Sequence, residues 1–272
     1  MPKKIAYLIL TRGPQQVYSS LYKGLSKMES KESSVFILLD DDHNNRFSSD
    51  EPIIAFDQSK INSLDIPLFR GGNIGFGNTH LPLLYFYRLY PDFDYYWVIE
   101  DDVRFNGRYS TFFDEVNTHA ADFVAAKIRH HHEMPDFFMW DWIQKDGDDV
   151  PDSEKLWSFN PIYRMSQNAL KTVIKCYDKG WVGHFEILLP TILKAEGNSL
   201  VDFGGEGKYT PDSLVNKYYQ LGSKFKQTHR YRPPHFWMTK RNKVYHPIKT
   251  KRKAFQAFSR MVYLKTKALV KG

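Results

Sequence analysis

Three adjacent carboxylates, Glu100, Asp101 and Asp102, follow directly on the apolar run 95–99. Negative charges this close repel one another, and any desolvation raises the cost further. A cation relieves both. Hard divalent ions such as Mg²⁺ or Mn²⁺ favour oxygen ligands of this kind and often share them with substrate phosphates. A solvated acidic turn is the plain alternative. Asp40-Asp41-Asp42 ends a second apolar run in the same way, and it too reads either as a site or as a solvated loop. Gly71-Gly72-Asn73-Ile74-Gly75-Phe76-Gly77 would let backbone approach a ligand closely. It lacks the Lys and Ser/Thr of a phosphate loop, and serves equally as a turn-rich connection. His130-His131-His132-Glu133 holds metal-binding residue types, but adjacent histidines share no face of a strand or a helix. We read that stretch as a loop and not as a zinc site.

These groups need elements to position them. Residues 4–10 read as a buried strand, and 15–27 as a helix with Val17, Leu21 and Leu25 at helical spacing. Residues 34–39 give a second strand, 44–60 a polar loop and 66–69 a short third strand. A helix is expected over 80–90, with Pro82 in its first turn, where proline is tolerated. Strands follow at 95–99 and 123–127. The alternation predicts an α/β fold with a mostly parallel sheet flanked by helices. In such sheets ligands bind beyond the carboxyl ends of strands, which is where the acidic triplet falls. After residue 129 the pattern becomes irregular: a strand at 157–165, helices over 166–178 and 183–196, a short strand at 199–203, loops over 204–243 and an amphipathic helix over 254–270.

Composition narrows the class. The 42% hydrophobic and 25% charged content of 272 residues is that of a soluble globular chain. The 16% aromatic content suits stacking on rings or sugars, and equally an aromatic core. Trp140, Trp142 and Trp157 are candidates for either role. A single cysteine, Cys176, excludes an internal disulfide and a cysteine-based zinc site, and suits a reducing compartment. The opening residues resemble a signal peptide only superficially, because Thr11-Arg12-Gly13-Pro14 interrupts a short apolar run. No apolar stretch reaches the roughly 18–20 residues a membrane-spanning helix needs. The net charge of +7 is concentrated: residues 249–272 hold eight Lys/Arg and no acid, which leaves 30 basic against 31 acidic residues elsewhere. Phe255, Phe258, Val262 and Leu269 lie near one helical face there, as in a basic helix that lies on an anionic membrane. Packing on the domain is the alternative, and nucleic acid a weaker one.

An apolar strand that ends in an acidic triplet, in the first half of an α/β chain, resembles the acid-x-acid metal motif of GT-A glycosyltransferases, here as Glu-Asp-Asp. The resemblance implies that Asp102 binds Mn²⁺ or Mg²⁺ directly, while Glu100 and Asp101 contact ribose, donor sugar or metal-bound water. Thr11-Arg12-Gly13 is similar to the nucleotide-binding first loop of that fold, and Asp40 stands where such enzymes contact base or ribose. Gly180-Trp181-Val182-Gly183-His184-Phe185-Glu186-Ile187 resembles the acceptor-side segment of inverting members, with Glu186 as the base that takes the acceptor hydroxyl proton. Asp178 and Asp202 are weaker candidates, and Glu186 also reads as a plain helix residue. Val244-Tyr245-His246-Pro247-Ile248-Lys249 resembles the late segment that places a histidine on the metal and a cation on the diphosphate, here His246 and Lys249, with His235 competing.

The resemblance runs from the first strand to about residue 249 but rests on three short stretches. It implies one catalytic domain over 1–249, with a nucleotide-sugar half at 1–129 and an acceptor half at 130–249, followed by a basic tail at 250–272. The donor would be a nucleotide-sugar, most commonly a UDP-sugar. The acceptor would be a saccharide or a lipid-linked saccharide in bacterial lipopolysaccharide or capsule synthesis. The enzyme would lie in the cytoplasm, at the inner face of the membrane. Two rivals use the same residues differently: a metal-dependent phosphohydrolase or nucleotidyltransferase, and a non-catalytic membrane-associated binding protein.

Overall fold

The computed structural model describes residues 2–41, 51–222, 228 and 240–248. In chain order the elements are β1 (Ile5–Thr11), α1 (Gln15–Leu25), β2 (Ser33–Asp40), β3 (Ile53–Phe56), α2 (Gln58–Asn62), α3 (Leu81–Leu89), β4 (Tyr95–Glu100), β5 (Arg104–Phe105), α4 (Tyr109–Asn117), β6 (Phe123–His130), β7 (Ile143–Lys145), β8 (Asp148–Asp149), β9 (Leu156–Ser166), α5 (Gln167–Asp178), β10 (Trp181–Gly183), α6 (Phe185–Ala195), β11 (Leu200–Asp202) and β12 (Val244–Tyr245). Seven of the strands form one sheet in the order β11-β6-β9-β4-β1-β2-β3. All run parallel except β9, which is antiparallel to both its neighbours.

The apolar runs lack polar alternation because the sheet is covered on both faces. Ala6 and Leu8 of β1, with Tyr96 and Val98 of β4, pack under α3, α5 and α6. Their neighbours Tyr7, Ile9, Trp97 and Ile99 pack under α1 and α4. Each large apolar side chain buried this way contributes roughly 1.5–3 kcal/mol. The expected α/β architecture is therefore present, with helices on both sides of a mostly parallel sheet.

One expectation changes. The third strand is β3, inside the stretch read as a polar loop, and residues 66–69 are not a strand. Asp65 and Arg70, at φ 57° and 53°, turn the chain at either end of that short apolar run. The helix α4 had no clear signal. From the irregular second half, β9 inserts between β4 and β6, so residues on both sides of 129 share one sheet. No helix among the described residues is long and apolar enough to cross a membrane. The amphipathic helix expected over 254–270 lies outside the described residues.

Candidate metal centre and active-site cleft

β1, β2 and β4 end on one edge of the sheet because they run parallel in close register, with Leu10 level with Glu100 and Thr11 level with Leu39. The connection after β1 runs through α1 on one face, while β4 is reached through α3 on the other. A crevice opens where connections diverge in this way. It is a cleft of about 240 Å³ lined by Thr11, Arg12, Asp40 and the Glu100-Asp101-Asp102 turn.

The acidic turn is held by backbone. Asp101 N donates to Leu10 O at 3.0 Å, and Val103 N donates to Glu100 O at 3.0 Å. Arg104 then clamps the turn, donating to Asp101 O (2.6 Å), Val103 O (2.7 Å) and Val17 O of α1 (3.0 Å). Next to the turn, β5 pairs antiparallel with β12, Arg104 with Tyr245 and Phe105 with Val244. This pairing delivers His246 to the acids, and Ile248 N fixes the segment by donating to Asp102 O at 2.8 Å.

His246 Nε2 lies 3.1 Å from Asp102 Oδ1 and 3.2 Å from Glu100 Oε2. One ligand atom from each of the three residues falls within 4.8 Å of the others, the one such grouping among the described residues. Neighbouring ligands of an octahedral ion with 2.0–2.1 Å bonds stand about 3 Å apart, so this donor set fits a small divalent cation. The two carboxylates suit Mn²⁺ or Mg²⁺, and the imidazole is better matched to a transition-metal ion such as Mn²⁺ than to Mg²⁺. Burial alone would push the His246 pKa down. Hydrogen bonds to Asp102 and Glu100, and their charges, outweigh burial and raise it to about 9.

The remaining expected residues divide. Asp101 turns away from the grouping and accepts from Thr11 Oγ1 at 2.6 Å, and Thr11 Oγ1 in turn accepts from Gly13 N at 3.0 Å. Thr11 therefore fastens the loop after β1 to the acidic turn. Arg12 Nε pairs with the buried Asp40 at 2.7 Å, while half of the Arg12 side chain stays exposed to the cleft. A Cβ on Gly75 would come within 3.1 Å of Arg12 Nη1, so the glycine-rich loop packs closely on the Arg12 side chain. Glu100, expected beside the nucleotide, also stands in the metal-capable grouping. Lys249 and His235 lie outside the described residues.

Glu186 sits in the first turn of α6, where helix N-terminal charge favours a carboxylate. Asn160 N donates to its Oε1 at 3.2 Å and Trp157 Nε1 to its Oε2 at 3.3 Å, so β9 aims it. A second cleft of about 210 Å³ is lined by Glu186, His184, Phe159, His246 and Glu100. The two clefts share Gly75, Thr79 and Glu100. Thr79, Phe159, Met139 and Pro161 also line the second cleft, and no motif or spacing marks them in advance. Gly77 joins the glycine-rich loop to α6: it adopts φ +80°, its O accepts from Phe185 N, and a Cβ would meet Phe69 Cδ1 at 2.4 Å.

The lesser candidates fall away on position. Asp202 is fully buried, accepts from Tyr219 OH and from Gly204 N and Gly205 N, and so does structural work far from solvent. Asp178 is exposed at the end of α5. Trp140 and Trp157 belong to the core, whereas Trp142 is half-buried. His130, His131 and His132 line a separate pocket, with His131 facing Asp152 at 3.4 Å.

Two buried histidines, His184 in the wall of the second cleft and His80 behind it, set a pH dependence. Burial pushes His80 down to about 3 and His184 down to about 4. His80 stacks on Phe185 and hydrogen-bonds Tyr177 OH. Both rings are neutral in the folded chain, whereas the unfolded chain gains a proton at each below about pH 6.5. Stability is therefore intact above that value and falls as pH drops from about 6.5 toward 4, by roughly 2 kcal/mol per histidine at pH 5. Urea unfolding at pH 7 and pH 5 measures this. His80→Asn should remove about half of the difference, leaving the His184 part, and an unchanged difference would reject the assignment.

Comparisons with known proteins come to the following. Residues 74–129 match a family described as a protein of unknown function (DUF3405). No curated protein matches the sequence. Among solved structures, the galactosyltransferase LgtC in complex with donor and acceptor sugar analogues is 13% identical, covers 73% of each chain and aligns at a TM-score of 0.43. The 4-diphosphocytidyl-2C-methyl-D-erythritol synthase of Anaerococcus prevotii is 10% identical over 79% of this chain and 97% of that one, at 0.44. Glucosyl-3-phosphoglycerate synthase of Mycobacterium tuberculosis, in complex with Mn²⁺, UDP and glucosyl-3-phosphoglycerate, is 12% identical over 62% of this chain and 59% of that one, at 0.35. Likeness at this level assigns no reaction.

Proposed function

We propose that the protein is a divalent-metal-dependent glycosyltransferase that moves a sugar from a nucleotide-sugar, in the first instance a UDP-sugar, to a saccharide or lipid-linked saccharide. The observation that carries this reading is the convergence of Glu100, Asp102 and His246 where two clefts meet, one bounded by Arg12 and Asp40 and the other by Glu186. A phosphate-binding site alone would need only the first cleft. A carboxylate facing the second supplies what an acceptor hydroxyl requires.

Asp102, Glu100 and His246 would hold a divalent ion, whose charge would neutralise the leaving nucleoside diphosphate. The exposed part of Arg12 adds a cation on the same side. Asp40, held by Arg12, borders the nucleotide cleft. From the second cleft Glu186 takes the acceptor proton as the acceptor oxygen attacks the anomeric carbon, and the configuration there inverts. The anchoring of Glu186 by Asn160 and Trp157 holds the base in place before substrate arrives. The basic stretch 249–272, with eight cations and no acid, supports a lipid-linked acceptor at the cytoplasmic face of a bacterial membrane, in surface polysaccharide synthesis.

Calorimetric titration of UDP-, GDP- and CMP-sugars, with and without Mn²⁺, tests the reading. One nucleotide class should bind, and only with the metal. Equal binding without Mn²⁺, or no binding of any of them, would overturn it.

A further inference from the structure

The second cleft continues outward into a patch that neither the metal grouping nor Glu186 uses. Phe76 and Phe138 are 54% and 63% exposed. Both stand edge-on to Trp142, with ring centroids at 5.4 and 5.2 Å and planes at 67° and 85°. Singly exposed aromatics need no explanation, but two flanking one half-buried tryptophan make a contiguous surface. Phe76 also lines the second cleft, so the patch is continuous with it.

Arg70 borders the same patch. It holds a left-handed backbone, φ 53°, that favours glycine or asparagine over arginine. That turn lays its guanidinium 4.7 Å over the Trp142 ring and 5.2 Å over Phe69. Its charge reaches His184 of the second cleft, adding to the effect of burial on that imidazole. Arg70 makes no hydrogen bond or ion pair among the described residues. A guanidinium stacked on an aromatic face keeps its in-plane donors available for a planar anion. The other arginine near the clefts, Arg12, is already engaged by Asp40.

We infer that the acceptor is an anionic saccharide: its apolar C–H surface packs against the patch made by Phe76, Phe138 and Trp142, and its carboxylate or phosphate pairs with Arg70. This rests on the glycosyltransferase reading and names the acceptor class for it. Aromatic faces bind the C–H surface of a pyranose, and an unpaired guanidinium beside them selects the charged member of a series of otherwise similar sugars.

The test uses the full chain with UDP and Mn²⁺. Methyl β-glucoside, methyl β-glucuronide and glucose 6-phosphate, with their galacto counterparts, are titrated by ligand-observed NMR. The uronide or the phosphate should bind at least about tenfold more tightly than the neutral sugar, and which of the two does so identifies the anion. Arg70→Gln should abolish that preference and leave the neutral sugar unchanged. The double substitution Phe76→Ala, Phe138→Ala should weaken neutral and charged sugars alike. Neutral sugars binding as well as charged ones, an Arg70→Gln variant that keeps the preference, or no sugar binding at all would each overturn the inference. UDP and Mn²⁺ binding, followed by calorimetry on the same samples, separates the two levels. Its loss in the wild type counts against the glycosyltransferase reading, and its persistence without sugar selectivity counts against the acceptor assignment alone.

Discussion

Asp102→Ala should remove the Mn²⁺ dependence of nucleotide binding and lower turnover by about a thousandfold or more. Asp102 is the most buried of the three metal-capable residues, with its side chain 10% exposed and 3.1 Å from His246 Nε2. Its loss leaves one carboxylate, Glu100, which is 32% exposed and able to swing toward water. Loss of a residue that merely supports a metal ligand costs about 10–100-fold in affinity, and loss of a ligand costs more. The effect on turnover adds the lost stabilisation of charge on the leaving diphosphate, several kcal/mol in comparable sites. Calorimetry with UDP, with and without Mn²⁺, reads the first effect, and release of UDP from the donor reads the second. Circular dichroism shows whether the variant is folded. Nucleotide binding that keeps its full metal dependence in a folded Asp102→Ala variant would exclude Asp102 as a ligand.

Glu186→Gln should behave differently, with kcat falling by about 10²–10⁴ and UDP binding with Mn²⁺ changing less than about twofold. Glutamine keeps the size of glutamate and one accepting oxygen, so it can still satisfy either Asn160 N or Trp157 Nε1. The bond it loses is worth about 1 kcal/mol, too little to unfold the chain. What it cannot do is take a proton from an acceptor hydroxyl. A steady-state assay on donor and acceptor, with calorimetry for the nucleotide, separates the steps. If kcat survived, the role of base would pass to another group and inversion would lose its support. A variant that kept phosphate-bond cleavage at the wild-type rate would point to a phosphohydrolase or a nucleotidyltransferase instead.

Much of this was legible in the residues, for physical reasons. Strands buried on both faces write themselves as unbroken apolar runs, so β1, β2, β4, β6 and β9 were foreseen with errors of a few residues at their ends. The acidic triplet was visible because its charges are neighbours in sequence as well as in space. Glu186 at the start of α6 was read from the resemblance of residues 180–187 to an acceptor-side segment, within the helix expected over 183–196. The edge strand β3 was missed because four residues beside a polar loop carry no period of their own. The contact between His246 and Glu100 spans 146 residues and depends on the two-residue pairing of β5 with β12, which leaves no periodic trace. Composition marked three tryptophans as a possible sugar wall without telling core from rim. Only the fold shows that Trp142 is the one on the surface, and that its companions there are Phe76 and Phe138.

The short β5–β12 pairing has a topological consequence. Only Val244 and Tyr245 are paired there, and a few backbone bonds, such as Val244 N to Tyr218 O at 2.7 Å, fasten the segment to the body of the protein. An ion held by Glu100, Asp102 and His246 would be a removable cross-link between chain positions 146 residues apart. By analogy with a covalent bridge, closing a loop of that size restricts the unfolded ensemble by up to about 5 kcal/mol. Metal supply would then govern how the late segment is tethered as well as the charge at the reaction centre. A chelator would not simply switch off chemistry. It would also remove one tie on the late segment where the two clefts meet, and faster hydrogen exchange over residues 240–248 would report the loosening before any substrate is present.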